Sequence, residues 1–116
     1  MEKEEEKEKD LYSIYHHLID YYLESGIINQ IDTFSHFAQE NPGLEFLTET
    51  TTQGLCSMSK KIVLINDREP IQEQLYTLFH EVGHLLSGSD EAAADQTAIL
   101  LCQTIEAVTG ISIRAA

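Results

Sequence analysis

The sequence predicts a single α+β domain, with helices at both ends and a small sheet between them. Apolar residues recur at helical spacing before residue 41 and after residue 70, whereas residues 44–65 change to a partly alternating, β-branched pattern. The chain has 116 residues, 42% of them hydrophobic, which is enough for one core. We therefore predict one domain over residues 10–116, preceded by an acidic charged tail at residues 1–9.

The first part of this domain is predicted to contain two N-terminal helices. Residues 10–24 carry an amphipathic pattern that ends at Ser25 and Gly26. Residues 28–38 carry a second, shorter helical pattern, which ends before the breaker Asn-Pro-Gly at residues 41–43. The charged tail is expected to be solvated, either disordered or a frayed extension of the first helix.

The middle of the chain is predicted to form a three-stranded antiparallel sheet. Residues 44–51 are Thr-rich and partly alternating, residues 54–58 alternate, and residues 62–65 are a β-branched run. Turns near 52–53 and 59–60 would join these strands.

The helix predicted after Pro70 contains the most informative motif of the chain, His80, Glu81 and His84. Two imidazoles four residues apart lie one turn from each other on the same helical face, so both can reach one metal ion. Glu81 projects close to that face and can hold a water on the ion. This helix continues to Leu86 and is predicted to stop in the Ser-Gly-Ser segment that follows.

The next predicted helix, residues 90–101, offers the missing ligand. Ser89 is a candidate N-cap, and Glu91 and Asp95 share one face because they are four residues apart. A catalytic zinc site needs three protein ligands, and two His with one carboxylate is a common set. We predict Glu91 as the third ligand and Asp95 as the acceptor of a hydrogen bond from the non-ligating nitrogen of His80 or His84. The competing interpretation makes Asp95 the ligand and Glu91 a solvated first-turn charge.

At this point the chain resembles the ImmA/IrrE family of zinc metallopeptidases. The resemblance rests on residues 78–86, on Glu91, Ala94, Asp95, Ala98 and Leu101, and on residues 62–66, a strand that ends in Asn. It covers about residues 44–102, and the Glu91–Asp95 spacing is also similar to that of thermolysin-like zinc peptidases. The resemblance implies a small zincin-like domain from a bacterium, phage or mobile element. It also implies that the substrate is a helix-turn-helix repressor, cleaved to release gene expression.

Charge and hydropathy narrow the choice of partners and compartment. A net charge of −13 argues against direct binding to nucleic acid, and it would attract a basic protein such as a DNA-binding repressor. The chain has no run of 18 or more apolar residues, so no membrane span is expected. The charged N-terminus is unlike a signal peptide, which predicts a cytoplasmic protein. Cys56 and Cys102 are interpreted as buried thiols.

The predicted function is zinc-dependent hydrolysis of a protein substrate, with Glu81 as the general base. Tyr76, one turn before His80, is interpreted as a packing residue rather than as a donor to the oxyanion. Two alternatives stay open. The first is a metal-binding but non-hydrolytic regulator that sequesters a partner protein, and the second is a metal-free helical interaction domain in which the motif is a coincidence.

Overall fold

The structure has the α+β architecture that was predicted, with the helices on both sides of a small mixed sheet. A computed structural model describes residues 2–111 and 113, with side chains from residue 8 onward. Within these residues there are four α-helices, three strands and one 3₁₀ turn. In chain order they are α1 (Glu2–Ser25), β1 (Gln30–Thr33), α2 (Phe34–Glu40), η1 (Glu45–Thr48), β2 (Gly54–Ser57), β3 (Ile62–Ile65), α3 (Ile71–Ser87) and α4 (Glu91–Thr109).

The sheet differs from the predicted one in composition and direction. Its strand order is β1-β3-β2, with β2 antiparallel to β3 and β1 parallel to β3. The prediction of a hairpin from strands near 54–58 and 62–65 is confirmed, but the prediction of a purely antiparallel sheet is wrong. The third strand is Gln30–Thr33, which lies in the stretch that was predicted to be helical.

Burial of β3 explains why β1 is a strand. Val63, Leu64 and Ile65 are all buried, so β3 is a central strand whose backbone N–H and C=O groups need partners on both edges. β2 satisfies one edge and β1 the other. Helix α2 can begin only after β1 ends, and it begins at Phe34 because the Thr33 hydroxyl caps it, accepting the N–H of His36 at 3.2 Å.

The prediction of a strand at residues 44–51 is also wrong, because this segment contains the 3₁₀ turn η1. Leu44 and Leu47 are three residues apart, the period at which side chains of a 3₁₀ turn share a face. Leu47 packs with Phe34, Ala38 and Leu64 in a small cluster beneath α2, and Leu44 contacts its margin. Local alternation suggested a strand, but burial against this cluster decides the conformation.

The N-terminal helix is longer than predicted. It begins at Glu2, so the charged segment predicted as a tail or helical extension forms its first turns. Leu11, Tyr15 and Tyr22 are buried against the main core, which lies between α1, the sheet, α3 and α4. Among the described residues, no helix combines the length and the apolar content that crossing a membrane requires.

A tight turn joins α3 to α4 and brings their facing sides together. Gly88 follows α3 at φ 87°, a left-handed conformation that favours glycine, and its N–H donates to the His84 carbonyl at 2.8 Å. Asp90, rather than the predicted Ser89, is the N-cap of α4, and its carboxylate accepts the N–H groups of Ala92 and Ala93. Asp90 carries a charge that suits the helix N-terminus, which explains its preference over the neighbouring serine.

The two helices lie very close together at Gly83 and Ala94. A Cβ atom at Gly83 would lie 2.8 Å from the Ala94 Cα and 2.9 Å from the Ala94 carbonyl oxygen. Both of these atoms are backbone, so no side chain can move aside to make room. Glycine at residue 83 therefore sets the separation of the helices that carry the predicted metal ligands.

We expect Gly83→Val to separate α3 from α4 and to lower the free energy of unfolding by about 1–3 kcal/mol, the usual range for overpacked cores. Urea denaturation measures the change. Ala107→Val, on the exposed part of α4, is the matched control and should change the stability by less than about 1 kcal/mol. Equal stability of Gly83→Val and the unmodified chain would contradict the proposed steric constraint.

Candidate metal centre

Helix α3 presents two imidazoles side by side, as the spacing of His80 and His84 predicts. Their ring centroids are 4.8 Å apart, and their side chains are 19% and 12% exposed. Both rings lie where α3 faces the start of α4. The low exposure means that each ring has lost most of its contact with water and depends on protein partners.

Glu91, the first residue of α4, faces both imidazoles. Its Oε2 lies 3.1 Å from the Nε2 of His80, and its Oε1 lies 3.1 Å from the Nε2 of His84. One ligand atom from each of the three residues can be chosen so that all lie within 4.8 Å of one another. The Glu91 side chain is 73% exposed, so the carboxylate closes the cluster on its solvent side.

The second nitrogen of each imidazole has an acceptor of its own. The Nδ1 of His84 lies 2.9 Å from the Gly88 carbonyl, and the Nδ1 of His80 lies 2.9 Å from the Asp95 carboxylate. A carbonyl oxygen only accepts, so the Nδ1 of His84 must carry a hydrogen, and the Asp95 carboxylate favours the same tautomer for His80. In the neutral form of both rings, the Nε2 lone pairs then point toward Glu91.

Three acceptors therefore converge without a donor among them: two Nε2 lone pairs and one carboxylate. They repel one another unless a cation lies between them, either a proton on an imidazole or a metal ion. The 3.1 Å separations are close to the ligand spacing of about 3.3 Å that follows from tetrahedral zinc bonds of about 2.0–2.1 Å. The group formed by His80, His84 and Glu91 could thus bind a metal ion.

Glu81 lies beside this cluster in a largely buried position. Glu81 is only 7% exposed, and it lines two surface depressions that also include His80. Burial raises the pKa of the Glu81 carboxyl, and the nearby imidazoles of His80 and His84 oppose that rise. A carboxylate with a raised pKa is a stronger base, which suits it to accept a proton.

Cys56 is a neighbour of Glu81 that sequence reasoning did not connect with the site. It lies half-buried on β2, and burial together with the nearby Glu81 carboxylate raises the pKa of its thiol to about 11. The thiol in turn lowers the pKa of the Glu81 carboxyl, against the effect of burial. Strand alternation could have placed Cys56 on the same face of β2 as Gly54, but only tertiary packing reveals that this face meets α3. Cys102 is fully buried, as predicted.

A groove runs across the cluster between α3 and strand β2. Two depressions meet at Gly54, His80 and Glu81. One extends past Tyr76 and Asp95, and the other extends past Cys56, Met58, Ser89 and Glu91. Glycine at residue 54 keeps the strand close to α3, because a Cβ atom there would collide with the Thr77 methyl group.

Among the described residues, no strand pairs with the outer edge of β2, which borders this groove. It is an outer strand of the sheet. Just before β2 begins, the Asn66 N–H donates to the Gln53 carbonyl at 2.9 Å, so Gln53 and Asn66 form a hydrogen-bonded pair. Hydrogen-bonded and non-hydrogen-bonded pairs alternate along an antiparallel ladder. Gly54 and Cys56 therefore turn their N–H and C=O groups away from β3, toward the open edge.

Tyr76 also belongs to the lining of the groove, although the sequence suggested only a packing role. Its hydroxyl lies 3.4 Å from Asp95 Oδ1, and its ring lies 6.3 Å from that of His80.

The remaining histidines lie elsewhere: His16 and His17 are exposed on α1, and His36 pairs with Asp32 at 2.8 Å.

The chain matches no family model, no curated protein and no solved structure. The resemblance to the ImmA/IrrE family therefore stays a prediction, and the geometry of the site is what supports a function.

We expect the chain to bind about one equivalent of Zn²⁺, with Glu91→Ala weakening the affinity more than about 100-fold, because loss of an outer partner alone costs about 10–100-fold. Competition with a chromogenic chelator measures the affinity, and a zinc-dependent rise in melting temperature provides a second readout. Glu24→Ala, which removes an exposed carboxylate from α1, should bind zinc like the unmodified chain. Equal affinity of Glu91→Ala would show that Glu91 is not a ligand.

Proposed function

We propose that this protein is a zinc-dependent endopeptidase of the ImmA/IrrE kind, with a zincin-like arrangement of helix α3, helix α4 and edge strand β2. One observation carries the proposal: Glu81, a buried carboxylate with a raised pKa, lies beside two imidazoles and a carboxylate that could together bind a metal ion. A set of two imidazoles and one carboxylate suits zinc and is common in catalytic zinc sites, which keep a fourth position open.

Each residue of the site has a distinct role in this proposal. His80 and His84 would hold the ion through Nε2, and Glu91 would hold it through its carboxylate. Asp95 and the Gly88 carbonyl would keep the two rings in the required tautomer and orientation. When bound, the ion supplies a Lewis acid that polarises the scissile carbonyl and makes water more acidic.

Glu81 is the general base of the proposed reaction. Its carboxylate takes a proton from the attacking water, and the resulting carboxyl group gives that proton to the nitrogen of the departing amine. Burial supports the first step, because it raises the pKa of the Glu81 carboxyl and so makes the carboxylate a stronger base. This transfer accompanies cleavage of the C–N bond and returns Glu81 to its ionised form. The new carboxyl group then loses the second proton of the water to the amine or to solvent.

The open edge of β2 is where an extended substrate would bind. The outward N–H and C=O groups of Gly54 and Cys56 can pair with a peptide backbone, which adds to the sheet as a further strand. Such a peptide would run along the groove past His80 and Glu81. Recognition through the backbone requires the scissile segment to be extended, and so to be a flexible or locally unfolded part of a protein.

The substrate that we propose is a DNA-binding repressor of the helix-turn-helix type, cleaved in the cytoplasm. The resemblance described above implies this class of substrate. A net charge of −13 supports it, because repressors that bind DNA carry basic surfaces that this chain would attract.

We expect Glu81→Gln to lower kcat/KM about 10²- to 10⁴-fold, the usual contribution of a general base, while zinc content stays at about one ion per chain. A library of quenched fluorescent peptides and a repressor encoded beside the gene are the substrates to test. Glu24→Gln, on the exposed face of α1, is the matched control and should cleave normally.

Equal cleavage by Glu81→Gln would contradict the role of this residue. A chain that binds zinc and captures the repressor, but leaves every substrate intact, would instead favour the non-hydrolytic regulator.

We expect N-methylation of a cleaved peptide to inhibit hydrolysis at every second residue, because alternate amides of an extended peptide face β2. Methyl groups on the amides that pair with Gly54 and Cys56 should each lower kcat/KM about 2- to 10-fold, the equivalent of one net hydrogen bond, apart from any steric effect. Methyl groups on the intervening amides, which would point away from β2, serve as the control. Inhibition without this period would contradict binding along the strand.

A further inference from the structure

Tyr76 contacts both His80 and the carboxylate that orients it. It lies on α3 one turn before His80, and its side chain is half-buried against the main core. Packing against the core limits the motion of the Tyr76 side chain, so this side chain can restrain the groups that it contacts. Neither the motif nor the proposed reaction assigns it any role.

The Tyr76 hydroxyl acts on Asp95. An ionised carboxylate only accepts hydrogen bonds, so the hydroxyl donates to Asp95 Oδ1 across 3.4 Å. The same oxygen is 2.9 Å from the Nδ1 of His80, so it has two donors from the same helix. The Asp95 side chain is 52% exposed, and without these donors it could rotate into water.

The Tyr76 ring acts on His80 directly. The two rings are tilted by 33° with centroids 6.3 Å apart, within the range of favourable aromatic contacts. This contact limits rotation of the imidazole away from Glu91. Tyr76 thus restrains His80 in two ways: the hydroxyl acts through Asp95, and the ring contacts the imidazole directly.

We propose that Tyr76 is a positioning residue for the metal centre, and that its hydroxyl strengthens metal binding by holding Asp95 against the Nδ1 of His80. This rests on the zinc site of the proposed function but not on peptide hydrolysis. Loss of a direct outer partner of a zinc ligand costs about 10–100-fold in affinity. The Tyr76 hydroxyl binds the outer partner Asp95 rather than a metal ligand, and this hydrogen bond is long. Removal of the hydroxyl should therefore cost less, about 3- to 10-fold in zinc affinity.

A double-mutant cycle tests this role through the zinc dissociation constant, measured by competition with a chromogenic chelator. Tyr76→Phe keeps the ring and removes the hydroxyl, and it should weaken zinc binding about 3- to 10-fold. In an Asp95→Ala background the same change should have no further effect, because its acceptor is gone. Tyr76→Leu, which also removes the ring, should weaken binding more than Tyr76→Phe does.

Controls separate positioning from general loss of structure. Thermal unfolding of the metal-free chain should be the same for Tyr76→Phe and the unmodified protein, and Tyr12→Phe on the exposed side of α1 should leave zinc affinity unchanged. Unchanged affinity of Tyr76→Phe, or equal losses with and without Asp95, would overturn the positioning role while leaving the zinc site intact. A wild-type chain that binds no zinc would overturn the zinc site and the positioning role together.

Discussion

The backbone contact between α3 and α4 at Gly83 and Ala94 is the constraint on which the site depends. Glycine on one helix and alanine on the other let the helices approach until backbone meets backbone. That approach brings the first residue of α4 within reach of imidazoles on the last turns of α3. A larger side chain at either position would move the Glu91 carboxylate away from the imidazole nitrogens.

The short turn between the helices contributes to the same geometry in a second way. Gly88 ends α3, and its carbonyl is the acceptor that orients His84, while Asp90 starts α4 immediately afterwards. The turn therefore connects the helices, caps one of them and defines the tautomer of a proposed ligand. Because one segment has all three functions, the helix ends and the site are geometrically coupled.

The helical part of the site could be predicted from sequence, because the information there is local. Four-residue spacing places His80 and His84 on one face, and the same spacing relates Glu91 to Asp95. Which of these two acids faces the Nε2 atoms depends on the turn and on the helix contact, so residue spacing alone left both assignments open. The structure places Glu91 there and Asp95 at the Nδ1 of His80.

The sheet could be predicted only in part, since its pairing is long-range. The hairpin of β2 and β3 joins neighbouring segments, whereas β1 is separated from its partner by about 30 residues and carries a pattern that also suits a helix. Cys56 was interpreted as a simple buried thiol because nothing near it in sequence indicates Glu81. Tertiary packing decides both features.

The exposure of Glu91 has a consequence for the exchange of an ion with the surroundings. Both imidazoles are mostly enclosed and Glu91 is mostly exposed, so the carboxylate side is one route by which a cation could arrive and leave. A single side-chain rotation at the first residue of α4 would open that route without disturbing either helix. Occupancy would then follow the free metal concentration of the compartment rather than being fixed when the chain folds.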